Sequence, residues 1–417
     1  MNSGFEGAEK ILQIKIMSVK PNDGLRGIPR SVWESILTTA KCSILSECKS
    51  ENCTSYVLSE SSLFVFENIC IFKTCGRTLL LLTIPLILEL LKEKGLQLEY
   101  LLYSSKNYLY PDCQVYPHNS WEDAEAYLRS FFPEENSFIL GGSTKDHVFL
   151  FTYSPLFSSS QDTYSSVKAV LEGAEKWSQV DTQSEYSSDP GSPIFFSTPN
   201  DSSDESSEGS HDSEPKERQC ELSYRSRGPS SPVAVDQSLL CEGGLESCFL
   251  NIMMYDMEET VAKQFFKTDD TMTAQQVTRD SGIGTIYPDS IIDDYLFTPC
   301  GYSMNGLSLG GFYTIHITPE AHCSYVSFET NIACSDYVSL VNHVLAIFKP
   351  QRFSMTFFYH CDMNFFANKS PLLCDRLIAA DDRVYCRTGL AGITKNGCEY
   401  SLGNYVVSYR SEERRVG

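Results

Sequence analysis

Tyr56-Val57-Leu58-Ser59-Glu60-Ser61-Ser62-Leu63-Phe64-Val65 is an apolar, strand-like run with four small polar or acidic residues in its middle. The apolar arms predict two antiparallel strands and the polar centre a turn between them. Two readings of that turn stand side by side. In one, it is an ordinary hairpin edge with serines in the turn. In the other, a Ser held in a strained turn attacks its own preceding carbonyl. That N-to-O acyl shift turns the Glu60–Ser61 peptide bond into an ester. β-Elimination of the ester leaves a pyruvoyl group at position 61 and cuts the chain in two.

Around the hairpin, residues 1 to about 155 alternate strand and helix signals. Ile11–Met17, Ser43–Leu45, Ser55–Ser59, Leu63–Glu67 and Leu98–Tyr103 read as strands. Ser31-Val32-Trp33-Glu34 reads as a capping box opening a helix. Thr78–Lys94 reads as a helix kinked at Pro85, and Trp121–Phe132 as another. Phe138–Leu140 and Val148–Tyr153 read as a hairpin. Residues from about 156 to 244 differ in composition. Asp181–Ser213, rich in Ser, Asp, Glu, Gly and Pro, cannot bury enough apolar surface to offset chain entropy and reads as disordered. Its Ser-Ser-Asp-Glu and Ser-Ser-Glu runs at 202–208 suit acid-directed kinases or a plain solvated spacer. From about 245 the composition is globular again, with helices at Met257–Phe266 and Ser335–Phe348. Tyr313–Thr318, Ser324–Phe328, Phe353–Tyr359 and Tyr405–Tyr409 read as strands, several with the alternation of an antiparallel sheet. An echo between Ser55–Ser61 and Ser324–Thr330 suggests that the two globular halves are duplicates.

The bulk numbers exclude several classes. A chain of 417 residues, 42% hydrophobic, can build a substantial core, and a formal charge of −21 offers no positive field for nucleic acid. Residues 181–220 alone carry eight net negative charges. No secretory signal is visible, so 16 Cys imply reduced thiols in a soluble cytoplasmic protein. No Cys/His spacing reads as a zinc site, and the run from Leu79 to Leu88 is too short to span a bilayer. Gly141-Gly142-Ser143-Thr144-Lys145 lacks the Walker spacing and Gly306–Gly311 the Rossmann spacing; no Gly-x-Ser-x-Gly elbow is present.

A second chemistry-bearing run is Phe297-Thr298-Pro299-Cys300-Gly301-Tyr302-Ser303-Met304-Asn305-Gly306, followed by Tyr313-Thr314-Ile315-His316-Ile317-Thr318-Pro319-Glu320. Strand alternation puts Thr314, His316 and Thr318 on one face. Together with Phe5–Lys10, Tyr56–Phe64 and Lys73-Thr74-Cys75-Gly76, these blocks resemble the self-processing proenzyme of the eukaryotic S-adenosylmethionine decarboxylase family. The resemblance covers both globular regions, with the acidic stretch as an insertion.

The resemblance implies an α+β fold, a four-layer α/β-β/α sandwich of two large antiparallel sheets with helices on the outer faces. The halves would be residues 1–155, with the cleavage site, and 245–417, flanking the 156–244 insertion. It implies that Ser61 is the pyruvoyl precursor and Glu60 the new C-terminus. The pyruvate-derived cofactor is then covalent, forms a Schiff base with the substrate amine, and needs no metal. His316 would take the Ser61 α-proton, Ser303 would support processing, and Cys75 would reprotonate the substrate. Phe5 and Phe297 would sandwich adenine, Glu320 would accept the ribose hydroxyls, Glu6 would orient substrate, and Glu9 would act as a charge behind it. The product would feed spermidine and spermine synthesis. The processed chains would stay associated, and dimerisation is a family-level expectation.

Departures from the family pattern matter. Animal relatives bind the activator putrescine in an acidic pocket between the sheets. Lys73, Glu329 and Phe358 of that region are kept, but the expected acids fall at Ser247, Asn251 and Gln13, and a Thr at Phe249. Glu246 offers itself as a substitute acid, and an Arg expected beside Lys106 is Ser105. A diamine needs carboxylates, so activation is expected to be weak or absent. Two rivals remain: a catalytically dead regulatory homologue, which should lack Ser61, His316 or Cys75, and a non-enzymatic protein working through its acidic insertion.

Overall fold

A computed structural model describes residues 7, 9–17, 24–133, 136–141, 146–154, 248–308, 310–334, 336–360, 385–387, 397–402 and 405–414. The disorder expected for Asp181–Ser213 lies outside them, as do Phe5, Glu6, Glu246 and Ser247.

The first sheet is built from β1 (Lys10–Ile16), β2 (Ile44–Lys49), β3 (Cys53–Leu58), β4 (Ser61–Phe66), β5 (Ile69–Thr74), β6 (Leu98–Lys106), β7 (Asn136–Gly141) and β8 (His147–Tyr153). Its order is β2-β3-β4-β5-β1-β6-β8-β7. The second sheet uses β9 (Cys248–Met257), β10 (Ile291–Leu296), β11 (Tyr302–Ser308), β12 (Gly311–Thr318), β13 (Tyr325–Thr330), β14 (Pro350–His360), β15 (Tyr385–Arg387), β16 (Gly397–Leu402) and β17 (Tyr405–Arg414). Its order is β10-β11-β12-β13-β9-β14-β17-β15, with β16 also on β17. The recorded pairings in both sheets are antiparallel. The two orders repeat one scheme: the first strand of each half sits in the middle, beside a four-strand meander. The Ser55–Ser61 echo does not mark that repeat, because β3 is equivalent to β11, whereas Ser324–Thr330 falls on β13.

Side-chain alternation sorts the core into layers. Leu12, Ile14, Leu63, Val65 and Phe72 of the first sheet pack under α1 (Arg30–Thr39), α2 (Ile84–Lys94) and α3 (Trp121–Phe131). Met254, Tyr313, Ile315, Val326 and Phe328 of the second pack under α4 (Glu259–Ala262), α5 (Ala274–Asp280) and α6 (Tyr337–Phe348). The opposite faces meet each other. Phe64 stacks on Phe312 across the gap at 4.0 Å, and Leu102, Leu150, Met253 and Val407 form a second inter-sheet cluster. This is the four-layer sandwich that the sequence implies.

Three local expectations are corrected. Ser31 does not cap α1: the N-cap is Pro29, whose fixed φ presets the first turn, and Glu34 instead accepts from Arg30 Nε at 2.8 Å. Pro85 does not kink a helix. Leu80–Thr83 forms a 3₁₀ turn and α2 starts at Ile84, placing Pro85 in the first turn, where its missing N–H costs nothing. The helix read over Met257–Phe266 is shorter, because β9 runs through Met257 and only Glu259–Ala262 is α-helical, followed by a 3₁₀ turn at Lys263–Phe265. Ile69–Thr74, the strand that carries Lys73, went unread in the sequence. No described helix is long and apolar enough to cross a membrane.

Candidate active site

The β3–β4 hairpin reverses over Ser59 and Glu60, with Leu58 opposite Ser61. Two-residue hairpin turns favour Gly or Asn because they need positive φ. Here a non-glycine, Ser61, adopts φ 125°, a strained conformation for an L-residue. Its hydroxyl is buried and has no hydrogen-bond partner among the described residues. The carbonyl it would attack is held from the neighbouring strand end. Glu60 O accepts from the Cys75 N–H at 3.1 Å, and the Cys75 thiol lies 3.7 Å away. Two donors converging on one carbonyl oxygen suit it to carry negative charge.

Burial, reinforced by Glu60 and Glu9, pushes the Cys75 thiol well above its usual range, so it is protonated at neutral pH. Burial likewise raises the Glu60 carboxyl to about 7, against the opposing pull of Lys10 and Cys75. Lys10 Nζ fastens the loop after Cys75 by donating to Gly76 O at 2.8 Å and Thr78 Oγ1 at 3.3 Å.

Across the gap, register lines up two polar rows on the second sheet: Ser303–His316–Ser327 and Asn305–Thr314–Glu329–Asn251. Gly306 lets β11 lie flat there, since a Cβ at that position would meet the Tyr313 ring at 1.9 Å. His316 Nδ1 pairs with Ser303 Oγ at 2.9 Å and Nε2 lies 3.0 Å from Ser62 Oγ. The imidazole therefore touches Ser62, the neighbour of Ser61. Burial, with the Lys73 charge adding to it, holds the His316 pKa well below 6.5, so the ring is neutral.

Behind this row sits a buried ion cluster. Lys73 Nζ lies 2.8 Å from both Glu9 and Glu329 and donates to Ser327 Oγ at 3.1 Å. Ser327 passes its hydrogen to Glu9 at 2.6 Å, and Asn251 donates to Glu329 at 2.9 Å. Burial holds Glu329 above the usual carboxylate range; Lys73 opposes the shift and Glu9 adds to it. Next to the cluster is a cavity of about 40 Å³ lined by Glu9, Gln13, Asn251, Phe249, Phe358 and Lys106 among others.

Elsewhere in the second half of the chain, Phe297 is buried with its ring 4.7 Å from that of Tyr295. Both carboxylate oxygens of Glu320 are buried, and the side-chain neighbour that meets them is the Cys300 thiol. Nearby, burial and the Glu320 charge raise the Cys300 thiol to about 12. The structure thus gathers Glu60, Ser61, Cys75, Ser303 and His316 around one hairpin, with Glu9, Lys73 and Glu329 behind. Sequence reasoning gave no role to Ser62, Asn305, Thr314 or Ser327. The signal for Asn305 was its two-residue spacing from Ser303 on a strand. No group of three or more acids, Cys or His suited to a metal is present among the described residues.

A serine turn buried between two facing sheets, with a hydrogen-bonded carbonyl before it and a neutral histidine across the gap, defines a two-sheet sandwich protein with a buried polar site at one hairpin. The adenosylmethionine decarboxylase family model matches residues 2–183 and 241–383. S-adenosylmethionine decarboxylase proenzymes of Dictyostelium discoideum and Drosophila melanogaster are 33% and 35% identical to the chain, covering 85% of it and 74% and 82% of their own lengths. That of Xenopus laevis is 32% identical, with 85% of this chain and 83% of the relative covered. A Trypanosoma brucei AdoMetDC crystal structure superposes with a TM-score of 0.50 at 20% identity, over 85% of this chain and 99% of that one, which supports the fold alone. The chain belongs to the adenosylmethionine decarboxylase family, a family of enzymes.

Proposed function

We propose that the chain is a self-cleaving proenzyme that decarboxylates S-adenosylmethionine, with Ser61 as the source of its pyruvoyl group. The observation that carries this reading is the strained, buried, unpartnered Ser61 hydroxyl behind a Glu60 carbonyl polarised by Cys75. Ser61 Oγ adds to the Glu60 carbonyl carbon, and its proton passes to the amide nitrogen as the C–N bond breaks, giving an ester and a free amine. Loss of the Ser61 α-proton, with His316 as the base, expels Glu60 as a carboxylate. Water replaces the nitrogen of the resulting dehydroalanine, ammonia leaves, and the chain after the cut begins with a pyruvoyl group.

That group supplies a carbonyl that draws off the electron pair left by CO₂. The site fits it, because its carbon skeleton is that of Ser61, at a position already buried, and only the keto oxygen comes from water. The protonated Cys75 thiol suits return of a proton to the substrate carbon. The buried Glu320 carboxylate, met only by the weak Cys300 thiol donor, suits a ribose diol, and the Phe297 ring suits a purine face. Phe5 and Glu6 keep their assigned roles as adenine and substrate contacts within this proposal.

Putrescine activation is weak or absent in this reading. Glu9 and Glu329 already share Lys73, and Asn251, Gln13 and Phe249 add no charge to the cavity. The all-present set of Ser61, Cys75 and His316 speaks against a dead regulatory homologue.

The test is intact-mass spectrometry of the denatured protein, paired with CO₂ release from carboxyl-labelled S-adenosylmethionine. The reading expects chains 1–60 and 61–417, the larger blocked by pyruvoyl, and CO₂ release. A single uncut chain without CO₂ release overturns it.

A further inference from the structure

The polar row facing the hairpin fixes the position of one proton by counting. Ser62 and Thr314 each own a single hydroxyl hydrogen. Ser62 Oγ donates to Asn305 Oδ1 at 2.6 Å. Thr314 Oγ1 donates to Met304 O at 2.8 Å, with Asn305 Oδ1 at 3.0 Å as its alternative acceptor. The two hydroxyls also lie 3.3 Å from each other, the longest of these contacts, so both hydrogens go to the nearer carbonyl oxygens. Both hydroxyl oxygens then turn lone pairs toward His316 Nε2, at 3.0 Å and 2.9 Å. A ring nitrogen facing two lone pairs carries the hydrogen. The ring is neutral, so its other nitrogen, Nδ1, holds the lone pair and accepts from Ser303 Oγ at 2.9 Å. Asn305 is engaged through its oxygen, and its buried Nδ2 has no partner among the described residues.

We propose that Asn305 is a positioning residue for self-cleavage: by taking the Ser62 hydrogen it holds His316 in the Nε2–H tautomer and turns the basic nitrogen toward the Ser303 hydroxyl. The inference rests on the self-cleavage reading and adds the route of the proton. The Ser303 oxygen receives the Ser61 α-proton as its own hydrogen moves to Nδ1. The electron pair released at the α-carbon expels the Glu60 carboxylate, leaving an imidazolium that later returns one proton to solvent. Ser303 is thus a conduit whose direction Asn305 sets, and Ser62 is the link between them.

The test uses the full chain carrying Ser61→Ala, which stays uncut, labelled with ¹⁵N-histidine. Long-range ¹H–¹⁵N correlation reads which ring nitrogen is protonated, and His316→Gln in the same background identifies the resonance. The parent should show Nε2–H with Nδ1 bare. Asn305→Ala frees the Ser62 hydrogen for Nε2, and should shift the Nε2 resonance toward the bare position. Asn305→Asp keeps an oxygen acceptor and should restore the parent pattern. In the cleavable chain, Asn305→Ala should slow cleavage about tenfold and move its pH profile, whereas Asn305→Asp should recover part of the rate. Nδ1–H in the parent, or a ring pattern indifferent to Asn305→Ala, overturns the proposal. The parent spectrum alone suffices if Asn305→Ala does not fold. The ring measurement needs no cleavage, so a wild-type chain that never cuts would sink the self-cleavage reading by a separate result.

Discussion

Cys75 meets Glu60 twice, its N–H 3.1 Å and its thiol 3.7 Å from the same carbonyl oxygen. The backbone donor survives replacement by alanine, and the thiol does not. Cys75→Ala should therefore slow cleavage by about tenfold rather than abolish it, since a thiol is a weak donor beside a retained amide. Decarboxylation by the cleaved fraction should fall further, because the proposed proton source is gone. Intact-mass time courses and CO₂ release separate the two effects.

The φ of 125° at Ser61 is costly for any side chain with a Cβ. Ser61→Ala and Ser61→Gly both lack the proposed nucleophile and should stay uncut. The glycine variant should be the more stable by about 1 kcal/mol, because glycine adopts that conformation freely. Urea denaturation of the two variants checks this, and equal midpoints would argue that the turn carries no strain.

Glu60 titrates near 7 in the folded chain, above its ordinary 4.5, because it is buried. A raised carboxyl stabilises the fold below the unfolded value and loses that contribution as pH climbs through the folded one. An uncut Ser61→Ala chain should thus lose stability between pH ~4.5 and ~7, by roughly 1–2 kcal/mol for a side chain screened in part by solvent. Adding Glu60→Gln should flatten the curve across that window. Denaturation midpoints at several pH values give the comparison.

Lys73 is wholly buried between two carboxylates. Lys73→Met leaves both unpaired and should cost about 3–5 kcal/mol, with part of it recovered when Glu329→Gln is added. Millimolar putrescine should leave the cleavage rate and melting temperature of the wild-type chain unchanged. A rise in either would show that the cavity still accepts a diamine.

The hairpin and the face shared by Thr314, His316 and Thr318 were legible because both depend on period-two alternation, a local property. The Lys73–Glu9–Glu329 cluster was not: Glu9 and Glu329 meet only where two sheets pack, and no spacing along the chain encodes that contact. Lys73 and Glu329 entered through resemblance, not through any visible pairing. Two helix starts were misread, at Ser31 and at Pro85. Pro85 stands in the first turn of its helix, where a missing N–H is harmless, and Pro29 is the extended residue just before α1; a reading from the length of the apolar run or from Ser31 overlooks both. The Ser55 and Ser324 echo pointed to a true duplication through strands that are not equivalent.

The central placement of β1 has a consequence for the molecule after the proposed scission. The fragment ending at Glu60 owns β1, β2 and β3, while β1 is zipped between β5 and β6 of the other fragment. Its product is an interleaved two-piece sheet in which neither piece owns a complete hydrophobic core. Once unfolded, such a molecule must find its lost strand by diffusion, so refolding changes from a unimolecular to a bimolecular event. Unfolded before the cut, the chain can return at any dilution; unfolded after it, recovery should fall as the protein is diluted.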